Sequence, residues 1–234
     1  MKVAIMQPYF FPYIGYFQLI NAVDIFVVYD SIEFSKKGWI NRNRILVNGK
    51  DYIFTLPLKK DSDFLNVNQR FLSDSWNSDK IKLLNKVKEA YRKAPFYNNV
   101  IAIFEDVLNY ENKNLFSFIK NALIKVLDYL EIKTKIIQSS EIDFDNTLKS
   151  QDKVISICKA LKAESYINPI GGLELYDKEV FKSKGIELQF LKANPIIYQQ
   201  YGDQFIMFLS IIDVMMFNSI EDIKKFITNE YQIA

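Results

Sequence analysis

Short unbroken apolar runs alternate along this chain with stretches where apolar residues return every third or fourth position. Residues 3–7 predict a first strand and residues 14–22 a short helix or turn. Residues 25–29 are apolar throughout and end in Asp30, the mark of a strand buried on both faces. Residues 41–47 and 51–56 flank Asn48-Gly49, the strongest short-range hairpin signal, and Pro57 ends the second arm. Residues 67–72 read as a further strand.

From residue 79 to about 130 the spacing turns helical. Ser78 or Asp79 caps a helix running through Arg92, Pro95 interrupts, and residues 98–108 and 114–130 carry apolar residues at helical intervals. Residues 134–138 read as a short strand and 145–149 as a polar connection. The last third alternates: helix 152–161, strand 165–168, a turn at 169–172, helix 177–182 and strand 186–191. A strongly apolar stretch at 205–217 reads as a helix, and another helix starts near Glu221. Together these predict an α/β fold with a mixed, partly parallel sheet, flanking helices and a central helical segment. At 234 residues the chain fits a single domain, 1–234, with a helical subdomain at about 78–131.

Composition narrows the function classes. Apolar residues make up 49% and charged ones 25%, as in ordinary globular proteins, which excludes bulk disorder. A formal charge of +2 gives no long-range attraction for nucleic acid. No apolar run reaches membrane-spanning length, and the first residues lack a signal-peptide core, so a cytoplasmic protein is expected. The single cysteine, Cys158, sits at helical spacing among apolar residues and reads as a buried thiol. Histidine is absent altogether. Ser–His and Cys–His nucleophile pairs and histidine metal sites are therefore excluded. Proton transfer falls to Asp, Glu, Lys, Tyr or water, and any metal would be an oxygen-ligated ion such as magnesium.

Four constellations carry candidate chemistry. In residues 6–17 two prolines and a glycine interrupt six aromatics directly after a strand, so Gln7, Tyr9, Phe11 and Tyr16 are candidate contacts of an aromatic-walled cleft. Residues 35–44 hold Lys37, Trp39 and two of the chain's four arginines. On a strand Arg42 and Arg44 share one face and Asn41 and Asn43 the other; paired guanidiniums suit phosphate or carboxylate, and Trp39 suits stacking. Gly171-Gly172 after a strand permits close backbone approach to a ligand. Tyr198 and Gln200 precede Asp213, a carboxylate in an apolar stretch that either pairs with an arginine or serves a site with a raised pKa. Asp30, at a strand's carboxyl end, is the candidate general base. Asp61-Ser62-Asp63 and Asp143-Phe144-Asp145 match the short Asp-x-Asp pattern of metal-dependent sugar transferases.

Several of these blocks fall in one family pattern. Gln7-Pro8-Tyr9, Pro12-Tyr13-Ile14-Gly15-Tyr16-Phe17, Asp24, Asn41-Arg42-Asn43-Arg44-Ile45, Gly171-Gly172, Tyr198, Gln200 and Leu209-Ser210-Ile211-Ile212-Asp213 resemble the WbqC-like proteins of bacteria over nearly the whole chain. Many relatives have histidine before the Gln-Pro pair; Met6 stands there, so no histidine role carries over. The resemblance implies surface-polysaccharide (O-antigen) gene clusters, and a glycine-transferase role has been suggested for one member. The strand, Pro-containing turn and helix also resemble the opening of nucleotidylyltransferases and pantothenate synthetase. Their ATP-binding His-x-Gly-His signature reads Tyr13-Ile14-Gly15-Tyr16 here, without either histidine.

These readings lead to an expected function: an acyl (glycyl) transferase or amide-forming ligase acting on a nucleotide-linked amino sugar. Magnesium-ATP is one source of activation for such a step; zinc and haem are not expected. The partner is a small nucleotide-sugar, with neither nucleic acid nor a membrane span. A non-catalytic nucleotide-sugar binding or scaffold protein and an Asp-x-Asp sugar transferase are the alternatives.

Overall fold

The structure is a computed structural model that describes residues 1–202 and 204–234. β1 (Lys2–Met6) leads through α1 (Ile14–Asn21) to β2 (Ile25–Val28). A hairpin, β3 (Arg42–Val47) and β4 (Lys50–Thr55), precedes three helices: α2 (Trp76–Tyr91), α3 (Tyr97–Leu108) and α4 (Leu115–Tyr129). The chain continues with β5 (Lys135–Gln138), α5 (Ser150–Ala160), β6 (Ser165–Pro169), α6 (Lys178–Ser183) and β7 (Glu187–Ala193). It closes with α7 (Ile211–Phe217), α8 (Ile220–Asn229) and β8 (Tyr231–Ile233).

Six strands form one sheet in the order β5-β2-β1-β6-β7-β8, parallel except where β8 runs antiparallel to β7. Both faces are covered, which explains the unbroken apolar runs. Ala4, Phe26, Val28, Ile167 and Leu191 pack on one face against α1, α3, α4, α7 and α8. Val3, Ile5, Val27, Tyr166 and Phe190 pack on the other against α5 and α6. Phe17, Phe104 and Phe118 are fully buried in the larger core, each contributing roughly 1.5–3 kcal/mol through burial. Leaving the hairpin aside, the chain builds outward from β1 to β2 and β5, then returns to add β6 and β7 on the opposite side. The order reverses between β1 and β6, and in open α/β sheets that reversal opens a crevice beyond the strands' carboxyl ends.

The hairpin turn follows from its residues. Asn48 and Gly49 have φ of 50° and 72°, the left-handed pair that a two-residue type I′ turn requires. Elsewhere the chain departs from its periodicity. The strand expected at 67–72 is a 3-10 turn, Val67–Gln69, followed by isolated bridges from Leu72 to Leu58 and from Phe71 to Asn114. The helix expected over 205–217 forms only from Ile211, because Phe208 is left-handed and the Ser210 hydroxyl caps the helix by accepting from the Ile212 N–H. β8 carried no legible pattern; its three residues pair only because α8 delivers them to the β7 edge. Among the described residues no helix is long and apolar enough to cross a membrane. Cys158 is buried in the smaller core, and burial pushes its thiol up to about 12.

Candidate functional site

A cleft of about 720 Å³ opens at the reversal point, where Met6 and Gln7 leave β1 and Asn168 and Pro169 leave β6. This is the size of a cofactor or nucleotide site. Gln7 and Asn168 are polar residues in an otherwise largely apolar lining, and the Gln7 carbonyl accepts from the buried Tyr16 hydroxyl at 2.9 Å. The Asn168 Oδ1 accepts from the Tyr166 hydroxyl at 3.0 Å, and its Nδ2 donates to the Pro169 carbonyl at 3.2 Å. Gly172 lies so close that a Cβ there would collide with the Asn168 amide, whereas a Cβ on Gly171 would meet nothing. Glycine at 172 is therefore what leaves room for Asn168.

Part of the lining is cationic. Lys149 and Lys153 both line the cleft, and neither forms an ion pair among the described residues. The Lys153 ammonium lies 5.7 Å from the Tyr29 ring centre and 5.8 Å from that of Phe144, which orients it without neutralising it. Ser150 and Gln151, the first turn of α5, also face the cleft, and the N-cap residue Lys149 offers no capping hydrogen bond. Uncapped N–H groups at a helix start favour an anion. Glu33, exposed on the rim, is the one carboxylate lining the cleft among the described residues.

Asp30 does not line this cleft. Its Oδ1 accepts from the Ser139 hydroxyl at 2.7 Å and the Ser140 N–H at 2.9 Å, and its Oδ2 from the Asn68 amide at 3.0 Å. Burial pushes the carboxyl up, but the hydrogen bonds from Ser139, Ser140 and Asn68 outweigh it and hold its pKa below the ordinary value. Such a carboxylate is a weak proton acceptor and a strong tie. It fastens the segments after β5 and before α2 to the end of β2, beside the cleft residues Tyr29 and Ser31.

The Asn-Arg-Asn-Arg block splits as its alternation implies, with Arg42 and Arg44 half-exposed and Asn41 and Asn43 buried. The guanidiniums are largely engaged by the protein itself. Arg42 donates to the Gly38 carbonyl at 2.8 Å and the Lys37 carbonyl at 2.6 Å; the Lys37 side chain is exposed. Arg44 pairs with Asp51 at 3.1 Å and donates to the Met207 and Phe208 carbonyls. Asn41 donates to the Leu56 carbonyl at 2.8 Å and Asn43 to the Phe11 carbonyl at 2.7 Å. Phe11 is core, left-handed at φ 45°, with its carbonyl shared between Asn43 and the Ser210 hydroxyl. Trp39 and Arg44 line a smaller hollow that meets the cleft at Tyr9.

Asp213 pairs with no arginine. Fully buried, it accepts hydrogen bonds from Tyr91 at 2.7 Å, Tyr198 at 2.7 Å and Gln200 at 2.8 Å. Burial raises its pKa, while those three donors pull in the other direction. Tyr91 in turn accepts from the Leu46 N–H at 2.9 Å, so one carboxylate joins α2, the hairpin, the 198–200 segment and α7. The network lines neither the cleft nor the hollow; only Tyr198 touches a small separate cavity behind Tyr13.

Of the residues singled out from sequence, Gln7, Tyr9, Gly171 and Gly172 meet in the cleft, and Tyr9, Trp39, Asn43 and Arg44 meet in the hollow. Asn168, which leads into the Gly171-Gly172 turn, joins them in the cleft, as do Glu33, Lys149 and Lys153, which no sequence motif marks. The signal for Lys149 is positional: it starts a helix without a capping side chain.

The fold and cleft define a class: a doubly wound, mostly parallel α/β protein with a cleft at its topological switch point. Within that class the chain belongs to the WbqC-like protein family, whose model matches residues 7–225. It is similar to an uncharacterized protein, Rv1507c, of Mycobacterium tuberculosis, at 25% identity over 223 residues, 92% of each chain. No solved structure matches it.

Proposed function

We propose that the cleft binds a nucleotide-activated amino sugar and that the chain forms an amide between a small acyl group, glycyl by family resemblance, and the sugar's amine in surface-polysaccharide synthesis. One observation carries this reading: the same cleft is lined by two unpaired lysines, an uncapped helix start and the amides of Gln7 and Asn168, with a single carboxylate on the rim. Lys149, Lys153 and the leading N–H groups of α5 hold the phosphates. Gln7, Gln151 and Asn168 fix sugar hydroxyls. Gly172 keeps Asn168 in place.

In the bond-forming step the amine nitrogen attacks the acyl carbonyl carbon and a C–N bond forms. The bond to the activating group breaks and its electron pair leaves with that group. The amine proton passes to Glu33, which is exposed and reaches the cleft, whereas Asp30 acts as a positioning residue beneath the rim. A free acid needs activation, so magnesium-ATP or an already activated acyl donor supplies the driving force. Arg42 and Arg44 act here through Trp39 and the 207–208 segment they hold. A cytoplasmic location is part of the same proposal.

The test is intact-mass analysis of products after incubating the protein with nucleotide amino sugars, glycine and ATP. A product heavier by one glycyl unit is expected. Saturable binding without any product would favour a non-catalytic carrier instead. Neither Asp-x-Asp pair lines the cleft: Asp63 pairs with Lys36 and Asp145 accepts from Thr147. Sugar transfer that needs manganese and disappears in Asp143→Ala would overturn the amide reading.

A further inference from the structure

Across the Tyr9 ring from the cleft lies the second hollow, of about 210 Å³, walled by Pro12, Tyr13, Trp39, Arg44 and Phe208. At about 30 Å³ per water it has room for roughly seven waters. That volume suits one ring and is too small for a whole nucleotide.

Its two outer rings are exposed yet pinned. Trp39 is 40% and Phe208 61% exposed. The guanidinium carbons of Arg42 and Arg44 lie 5.5 and 5.9 Å from the Trp39 ring centre. Phe208 is held at φ 57°, a region that costs a bulky residue about 1 kcal/mol or more. Arg44 keeps it there through hydrogen bonds to the Met207 and Phe208 carbonyls at 3.3 and 3.2 Å, and Tyr13 meets its ring edge-on at 6.1 Å. A core does not need a strained phenyl turned to solvent; a stacking surface does.

Resting on the reading of the cleft as a phosphate site, we propose that this hollow takes the base of a nucleotide whose phosphates lie against Lys149 and Lys153. The sugar crosses at Tyr9, the one side chain common to both compartments. Flat faces are what the hollow offers, and every base has a face to stack. Its polar rim is narrow. The Asn43 amide donates to the Phe10 and Phe11 carbonyls, its Oδ1 accepts from the Arg44 N–H, and most of the Arg44 guanidinium is engaged. Beyond these, the Tyr9 and Tyr13 hydroxyls and the Trp39 ring N–H belong to residues whose flat faces make up most of the wall, which favours a stacked base over a sugar ring.

The chain contains two tryptophans, and Trp76 is buried, so Trp39 reports on the hollow by fluorescence. Adenosine, guanosine, cytidine, uridine, thymidine, their 5′-monophosphates and glucosamine 1-phosphate are titrated against the protein. The same titrations use Phe208→Gly, which accepts the left-handed backbone, and the double variant Lys149→Ala/Lys153→Ala, with thermal unfolding to verify the fold. At least one nucleoside is expected to change Trp39 emission saturably, with affinity falling about tenfold or more in Phe208→Gly. Its monophosphate is expected to bind more tightly than the nucleoside, and to lose that advantage in the lysine variant. If nucleosides bind but phosphate adds nothing and the lysine variant is unchanged, the reading of the cleft fails while the base site stands. The proposal is overturned if nucleotides bind by calorimetry without disturbing Trp39 or responding to Phe208→Gly. It is equally overturned if glucosamine 1-phosphate alone perturbs Trp39, or if no nucleoside or nucleotide binds.

Discussion

Asn168 and Gly172 share one space: the Asn168 amide stands where the first atom of any side chain at 172 would have to be. Gly172→Ala therefore displaces an amide in the cleft lining, while Gly171→Ala has open room. The first change is expected to cost about 1–3 kcal/mol of stability or an equivalent shift of Asn168. Ligand affinity in the cleft should fall with it, by roughly fivefold to tenfold for one lost hydrogen bond. Thermal unfolding and calorimetry on the two variants check this; equal behaviour of both would contradict the crowding argument.

Lys149→Ala and Lys153→Ala are expected to weaken binding of phosphorylated ligands by about 1–3 kcal/mol for each charge-assisted bond removed. Because neither ammonium forms an ion pair among the described residues, that affinity should also fall with added salt, and the double variant should show little salt dependence. Calorimetry at two salt concentrations is the measurement.

Glu33→Gln and Asp30→Asn separate proton transfer from positioning. Glu33 is exposed, so its variant should keep wild-type stability and lose about 10²–10⁴ in turnover. Asp30→Ala instead strands the donors from Ser139, Ser140 and Asn68, at a cost of about 2–4 kcal/mol. The Asp30 pKa is lowered in the folded state, so its stabilisation is present above the ordinary carboxylate range and disappears as pH falls through the folded value. Urea unfolding of Asp30→Asn should show a flatter acid limb than the wild type.

Asp213 has the opposite sign. Its folded pKa is raised, so the folded chain holds that proton more tightly than the unfolded chain does. Its contribution is most favourable below the ordinary carboxylate value of 3.8 and diminishes as pH rises through the raised one. Asp213→Asn should remove this dependence. Asp213→Ala should cost about 3–5 kcal/mol, since the hydroxyls of Tyr91 and Tyr198 and the Gln200 amide lose their acceptor. Urea midpoints measured from the ordinary carboxylate range upward test both.

Much of the fold was legible because local rules decided it. The β1–α1–β2 opening, the Asn48-Gly49 hairpin and the alternation of strands with helices all follow from periodicity and turn chemistry. The helical reading of 205–210 failed where a distant partner intervened: the Arg44 carbonyl accepts from the Ser210 N–H at 2.8 Å, and its guanidinium holds Phe208 left-handed. The same distance hid part of the site. Arg42 and Arg44 looked available because their acceptors are backbone carbonyls, which no residue type announces. Asp213 appeared to need a cation and found two phenols and an amide. Lys149, Lys153 and Asn168 are ordinary residues in sequence; they come to line one cleft only once strand order places the ends of β1 and β6 side by side.

Tyr9 forms a wall of both compartments. A substitution there cannot be confined to one of them, so the preferences of cleft and hollow change together at that position. On the proposed reading, diversification of specificity has to work from the far walls, at Lys149 and Asn168 on one side or at Trp39 and Phe208 on the other, with the tyrosine between them kept as the hinge of recognition.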